Sequence, residues 1–166
     1  RQLNMKDNKV TFLTQAAMIA AVYVVLCAVF APISYGEIQV RVAEALVILP
    51  FFTPAAIPGL FVGCIIANLM GGSILLDVVL GSIATLIGAV GSYHLRSHRF
   101  LVLIPPIISN TLLVPYVLRY GYGVPLPIPF MMLTVGIGEV IAVGVLGNVL
   151  LSALVRYRRI FPAVNA

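Results

Sequence analysis

The stretch Tyr35-Gly36-Glu37-Ile38-Gln39-Val40-Arg41-Val42-Ala43-Glu44 sets two acids, an amide and a guanidinium between two long apolar runs. At helical spacing Glu37 and Arg41 are i,i+4 and Arg41 and Glu44 are i,i+3, so the three ionic groups share one face and partly neutralise one another. Ionisable groups inside a bilayer are costly; they turn toward a bundle interior or a wet cavity, where they mark pathways and ligand sites. The plainer alternative is an ion network at a helix end.

The flanks of this stretch decide the class. Of 166 residues, 61% are hydrophobic and 9% charged, and the mean hydropathy is +1.12. So little polar surface cannot solvate a water-soluble globule. A helical span takes about 20 residues, so about six spans use up most of the chain. The expectation is an all-α integral membrane protein, a compact bundle of six transmembrane helices with cytoplasmic N- and C-termini. Residues 1–9 are read as a cytoplasmic tail, with Met5 as native start and 1–4 foreign to it, residues 10–157 as one six-helix domain, and 158–166 as a second tail.

The net charge of +5 reports topology and not a nucleic-acid partner. Eight of the ten Lys and Arg residues fall at Arg1, Lys6, Lys9, Arg96, Arg99, Arg156, Arg158 and Arg159, the bias expected of cytoplasmic loops and ends. That orientation sends Glu37, Glu44, Asp77 and Glu139 to the outer half, with Asn68 and the tyrosines at 116, 120 and 122. A polar pocket open to the outside follows, since these groups come from several helices yet share one depth.

The expected spans are roughly 10–31, 38–52, 55–70, 74–93, 100–119 and 130–154, the fifth interrupted by Pro105-Pro106. Ala16, Ala17, Ala20 and Ala21 form a smooth strip on the first, and Gly59, Gly63 and Ala67 another on the third; small residues let membrane helices approach closely. Asp77 in a first helical turn is also favoured there by the helix dipole. Cys27 and Cys64 lie in apolar runs and behave as small hydrophobes. His94 and His98 have the spacing of a metal pair, but Arg96 and Arg99 crowd them, so no metal is expected. With no Walker sequence and no lysine beyond Lys9, the chain cannot itself be an ATP-driven motor.

Residues 35–50, followed by Gly59 to Gly72 with Ala67-Asn68-Leu69 and by Asp77-Val-Val-Leu-Gly81-Ser-Ile-Ala-Thr85, resemble the QueT family from Met5 onward. That family comprises substrate-binding S components of energy-coupling factor (ECF) transporters, linked to salvage of queuosine precursors. The resemblance implies an S-component bundle in the bacterial plasma membrane, without enzymatic activity or cofactor. It would capture a deazaguanine outside and dock on a transmembrane coupling protein served by two cytoplasmic ATPases. It also gives Ala16 and Ala20, or Ala17 and Ala21, the face that meets the coupling protein.

Chemistry then suggests roles. A deazaguanine offers an N1–H and an exocyclic amine to a carboxylate, its O6 wants a donor, and an aminomethyl group adds an ammonium. Glu44 and Glu139 are assigned to the base edge or the ammonium, Asn68 and Gln39 to amide contacts, and Arg41 to O6 or to structural pairing. Tyr35, Tyr116 and Tyr120 are candidates to stack on the ring. Asp77 completes the enclosure, with Glu37 and Arg41 as an ion pair at its lid. An S component for another vitamin, and less favourably an intramembrane hydrolase, remain as alternatives.

Overall fold

The computed structural model describes residues 5–30, 42–98 and 100–156, so Tyr35, Glu37, Gln39 and Arg41 lie outside the described residues. Every element among the described residues is helical. In chain order they are α1 (Met5–Val29), a 3-10 helix (Val42–Phe51), α2 (Ala56–Met70), α3 (Leu75–His94), α4 (Ile104–Tyr116), α5 (Ile128–Glu139) and α6 (Asn148–Arg156). A 3-10 turn, Leu101–Leu103, leads into α4, and π-helical turns follow α4 at Val117–Gly121 and join α5 to α6 at Val140–Gly147.

Among the described residues four runs are long and apolar enough to cross a membrane: Lys9–Val29, Leu75–His94, Leu101–Gly121 and Ile128–Arg156. Their outer faces carry exposed apolar side chains such as Leu13, Val25, Ile87, Leu133 and Val149, which suits contact with lipid. The 3-10 helix and α2 are shorter. The described part of the expected second span is a 3-10 helix apolar on every side apart from Glu44, with every residue from Ala43 to Pro50 buried. It packs against α1, α2, α3, α6 and the π segment. An all-round apolar helix belongs in a core, and Val47 and Ile48 join Tyr23, Leu60, Cys64, Val102, Val143 and Leu151 there.

Small residues bring the outer helices in. A Cβ on Gly59 would stand 2.8 Å from the Ala16 carbonyl oxygen, and one on Gly63 would stand 3.0 Å from both Ala20 Cα and Tyr23 Cβ. The two small-residue strips therefore pack against each other. On α3, Gly88 and Gly91 face Pro106 and Pro105 in the same way. Those prolines sit in the first turn of α4, where no N–H is needed, so they begin the helix and do not interrupt it. Pro115 does remove a donor inside α4, and the ladder resets into the π turn that follows.

Helix α2 stops where Gly71 donates its N–H to Ala67 O at 2.9 Å and Ser73 donates to Asn68 O at 3.0 Å. Gly72 makes that reversal at φ +72, a left-handed conformation that glycine adopts freely.

Widening the closest α1–α2 contact tests this packing. Gly59→Val should lower stability by about 1–3 kcal/mol, as overpacking does, read as an earlier thermal transition in detergent; an unchanged transition would contradict the contact.

Candidate functional site

Where the core should be driest, it holds two acids and an amide. Glu44, on the 3-10 helix, is 1% exposed. The Tyr23 hydroxyl of α1 donates to its Oε1 at 2.6 Å. Asn110 of α4 sends its Nδ2 to Glu44 Oε2 at 3.4 Å and to Glu139 Oε2 at 3.1 Å. Three elements thus meet at one amide, and α1 joins them through Glu44. Asn110 is carried there by Ser109, whose hydroxyl donates to Ala84 O of α3 at 2.7 Å and pins α4 against α3. Glu139, 5% exposed, is the last residue of α5 before the ladder widens into the π segment, a distortion that often marks functional sites.

Chemically this is a buried group rich in acceptors. An ionised carboxylate accepts about four hydrogen bonds, and burying one costs several kcal/mol unless partners meet it. Two of them around one amide suit a ligand rich in N–H donors, or one carrying an ammonium.

A second polar group lies at another level. Tyr122, just past α4, donates its hydroxyl to Asp77 Oδ2 at 2.8 Å and accepts from the Ile74 N–H at 3.4 Å, so it closes over the start of α3. A Cβ on Gly81 would stand 3.2 Å from Asp77 Oδ1 and 3.4 Å from Asn68 Nδ2, which places this acid and this amide on the same notch. Asn68 and Thr85 both donate to Cys64 Sγ, at 3.6 and 3.5 Å. The Ser109 bond sets Asn110 near Ala84, seven residues along α3 from Asp77, or about 10 Å at 1.5 Å per residue. Asp77 thus lies about two helical turns along α3 from Ala84, the residue beside which Asn110 is set.

The remaining expected residues divide. Tyr116 and Tyr120 are exposed and stack on each other, their rings 6.4 Å apart and 5° from parallel, so they cap neither acid group. Ala16 and Ala20 are taken up against Gly59 and Gly63, while Ala17 and Ala21 stay exposed on α1. Asn110 and Tyr23 were not among the expected contacts, while Tyr122 was placed in the outer polar pocket without a stated partner. For Asn110 and Tyr23 a lone amide or hydroxyl in an apolar helix is the signal, but it does not say which way the side chain points. An apolar groove of about 540 Å³ between α4 and α5, lined by Ile108, Leu112, Leu133, Gly136 and Ile137 among others, has only Thr111 as a polar side chain. It cannot be the acidic site.

Long apolar helices around buried, hydrogen-bonded acids define a multi-pass membrane protein with an internal polar site. Residues 13–156 match the family described as QueT transporter, and the chain belongs to that family. Among curated proteins it is similar to one named "Queuosine precursor transporter QueT" from Lactococcus lactis subsp. cremoris, 36% identical over 85 residues, which is 50% of each chain. The aligned part spans half the length of that relative. No solved structure matches. The family is one of transporters, so the hydrolase alternative gains nothing from it.

Tyr122 lies in a loop, and its phenol is pushed above its ordinary 10.0, first by burial and further by the Asp77 carboxylate, against opposing hydrogen bonds from Ser73 and the Ile74 backbone. A raised pKa keeps the hydroxyl a donor through neutral pH; its contribution to stability holds below 10.0 and is lost as pH rises through the higher value. Asp77→Asn should move this titration down, read as the ultraviolet difference between the protein and its Tyr122→Phe variant; no movement would mean Asp77 does not act on it.

Proposed function

We propose that the chain is the substrate-capturing S component of an ECF-type importer, taking a queuosine precursor, 7-aminomethyl-7-deazaguanine or queuine, from outside the cell. The buried group of Glu44, Asn110 and Glu139 carries the reading, and the family match and the name of the lactococcal relative support its direction. A flat deazaguanine can present N1–H and its exocyclic amine to one carboxylate, while the other meets the ammonium of the aminomethyl form. Asp77 and Asn68, nearer the start of α3, serve the entry side. In this reading Arg41, Gln39, Glu37 and Tyr35 belong to the entrance.

The six helical runs form the S-component bundle, with both ends cytoplasmic. The motor is supplied by a transmembrane coupling protein and two ATPases. Ala17 and Ala21, exposed between Leu13, Met18, Val22 and Val25, are the smooth strip left for that coupling protein once Ala16 and Ala20 have packed on α2.

Titration of purified protein with the aminomethyl-deazaguanine, queuine, guanine, thiamine and riboflavin tests the substrate. Submicromolar binding is expected for a deazaguanine; tight binding confined to a vitamin would overturn the reading. Glu139→Gln should weaken the aminomethyl ligand about tenfold or more, as loss of a charge-assisted bond does, and change guanine little. Leucines at Ala17 and Ala21 should stop uptake in the assembled importer while leaving binding intact.

A further inference from the structure

Two hydrogen bonds that reach Glu44 are unequal. Asn110 divides one amide nitrogen between two carboxylates and reaches Glu44 only at 3.4 Å. Tyr23 reaches Oε1 at 2.6 Å, the length of a strong hydroxyl-to-carboxylate bond. Of these two bonds, the stronger restraint on how the Glu44 carboxylate is turned therefore comes from α1.

Tyr23 is itself held. Its side chain is fully buried in the cluster with Leu60 and Cys64, and its Cβ stands 3.0 Å from where a Cβ on Gly63 would be. Glycine at 63 lets α1 come close enough for the hydroxyl to arrive at Glu44. The link runs from the α1–α2 contact, through one phenol, to one carboxylate on the central 3-10 helix.

We infer that Tyr23 is a positioning residue for selectivity: by turning Glu44, it makes the site prefer a ligand bearing an amidine-like donor edge, N1–H beside an exocyclic amine, over the same ring without the amine. The inference rests on the deazaguanine reading and adds which carboxylate reads the edge and what aims it. Held on both oxygens, Glu44 keeps a fixed direction for two parallel donors. Glu139, at the change of helical pitch, is left for the ammonium. A carboxylate that rotates freely still attracts positive charge, but it no longer distinguishes a paired donor edge from a single one.

The test compares equilibrium binding of 7-aminomethyl-7-deazaguanine and its 7-deazahypoxanthine counterpart, which lacks the exocyclic amine, to the protein and to Tyr23→Phe. The parent is expected to prefer the amine-bearing ligand by about 10- to 100-fold, the range for one hydrogen bond to a charged group. Phenylalanine keeps the ring in the core and removes only the donor. Its preference should fall to about threefold or less, mostly through weaker binding of the amine-bearing ligand. Gly63→Ala, which presses on Tyr23 Cβ and the Ala20 backbone, should compress the preference in the same direction.

If Tyr23→Phe weakens both ligands equally, its role is structural and the inference is overturned. Undiminished discrimination in Tyr23→Phe also overturns it, while leaving the substrate reading intact. A parent that binds neither ligand removes the substrate reading and this inference together.

Discussion

Glu44 is an ionisable side chain on a helix with no face toward water, and the rest of the molecule is arranged around that constraint. The 3-10 helix that carries it is buried from Ala43 to Pro50, so neither lipid headgroups nor bulk solvent can meet the carboxylate. Tyr23 from α1 and Asn110 from α4 meet it instead, and Asn110 brings Glu139 of α5 to the same point. For these bonds to form, α1 must lie close to α2, which Gly59 and Gly63 permit, and α4 must lie close to α3, which Gly88, Gly91 and the Ser109 bond permit.

Stability alone gives little reason for such an arrangement. Replacing buried ionic groups with apolar ones of similar volume is often neutral or stabilising, and the surrounding positions already hold Val47, Ile48, Leu60 and Val143. The polar centre is thus set against its apolar surroundings, as expected of a site kept for a ligand. The π segment after Glu139 and the unusually long 3-10 helix belong to the same pattern: regular α-helical hydrogen bonding gives way beside the acids.

Much of this was legible in the sequence because it depends on composition and charge. Apolar runs with few charges gave the membrane class, and Glu44 and Glu139 stood out as acids set among apolar residues. What stayed hidden depends on direction. Asn110 and Tyr23 are single polar groups in apolar helices, and a helical period cannot show where a lone side chain points when no polar face accompanies it. The alanine strip was read correctly as a close-packing surface, yet two offset pairs lie on it, and only the position of Gly59 and Gly63 distinguishes the inward pair, Ala16 and Ala20. The burial of residues 42–51 was not legible, because continuous hydrophobicity fits a buried core helix as well as a lipid-facing one. Pro105-Pro106 was taken for an interruption because a proline pair reads alike inside a helix and in its first turn.

The central claim is that the Glu44 charge is retained for a ligand and not for the fold. Thermal unfolding of the protein and of Glu44→Gln, each with and without 7-aminomethyl-7-deazaguanine, tests it most directly, since a ligand that binds only the folded state raises the transition. Glutamine keeps an acceptor for Tyr23 and removes the charge. The account predicts that the unliganded variant melts at or above the parent's temperature, and that the ligand raises the parent's transition but not the variant's. A variant that melts well below the parent and is still stabilised by the ligand would contradict it.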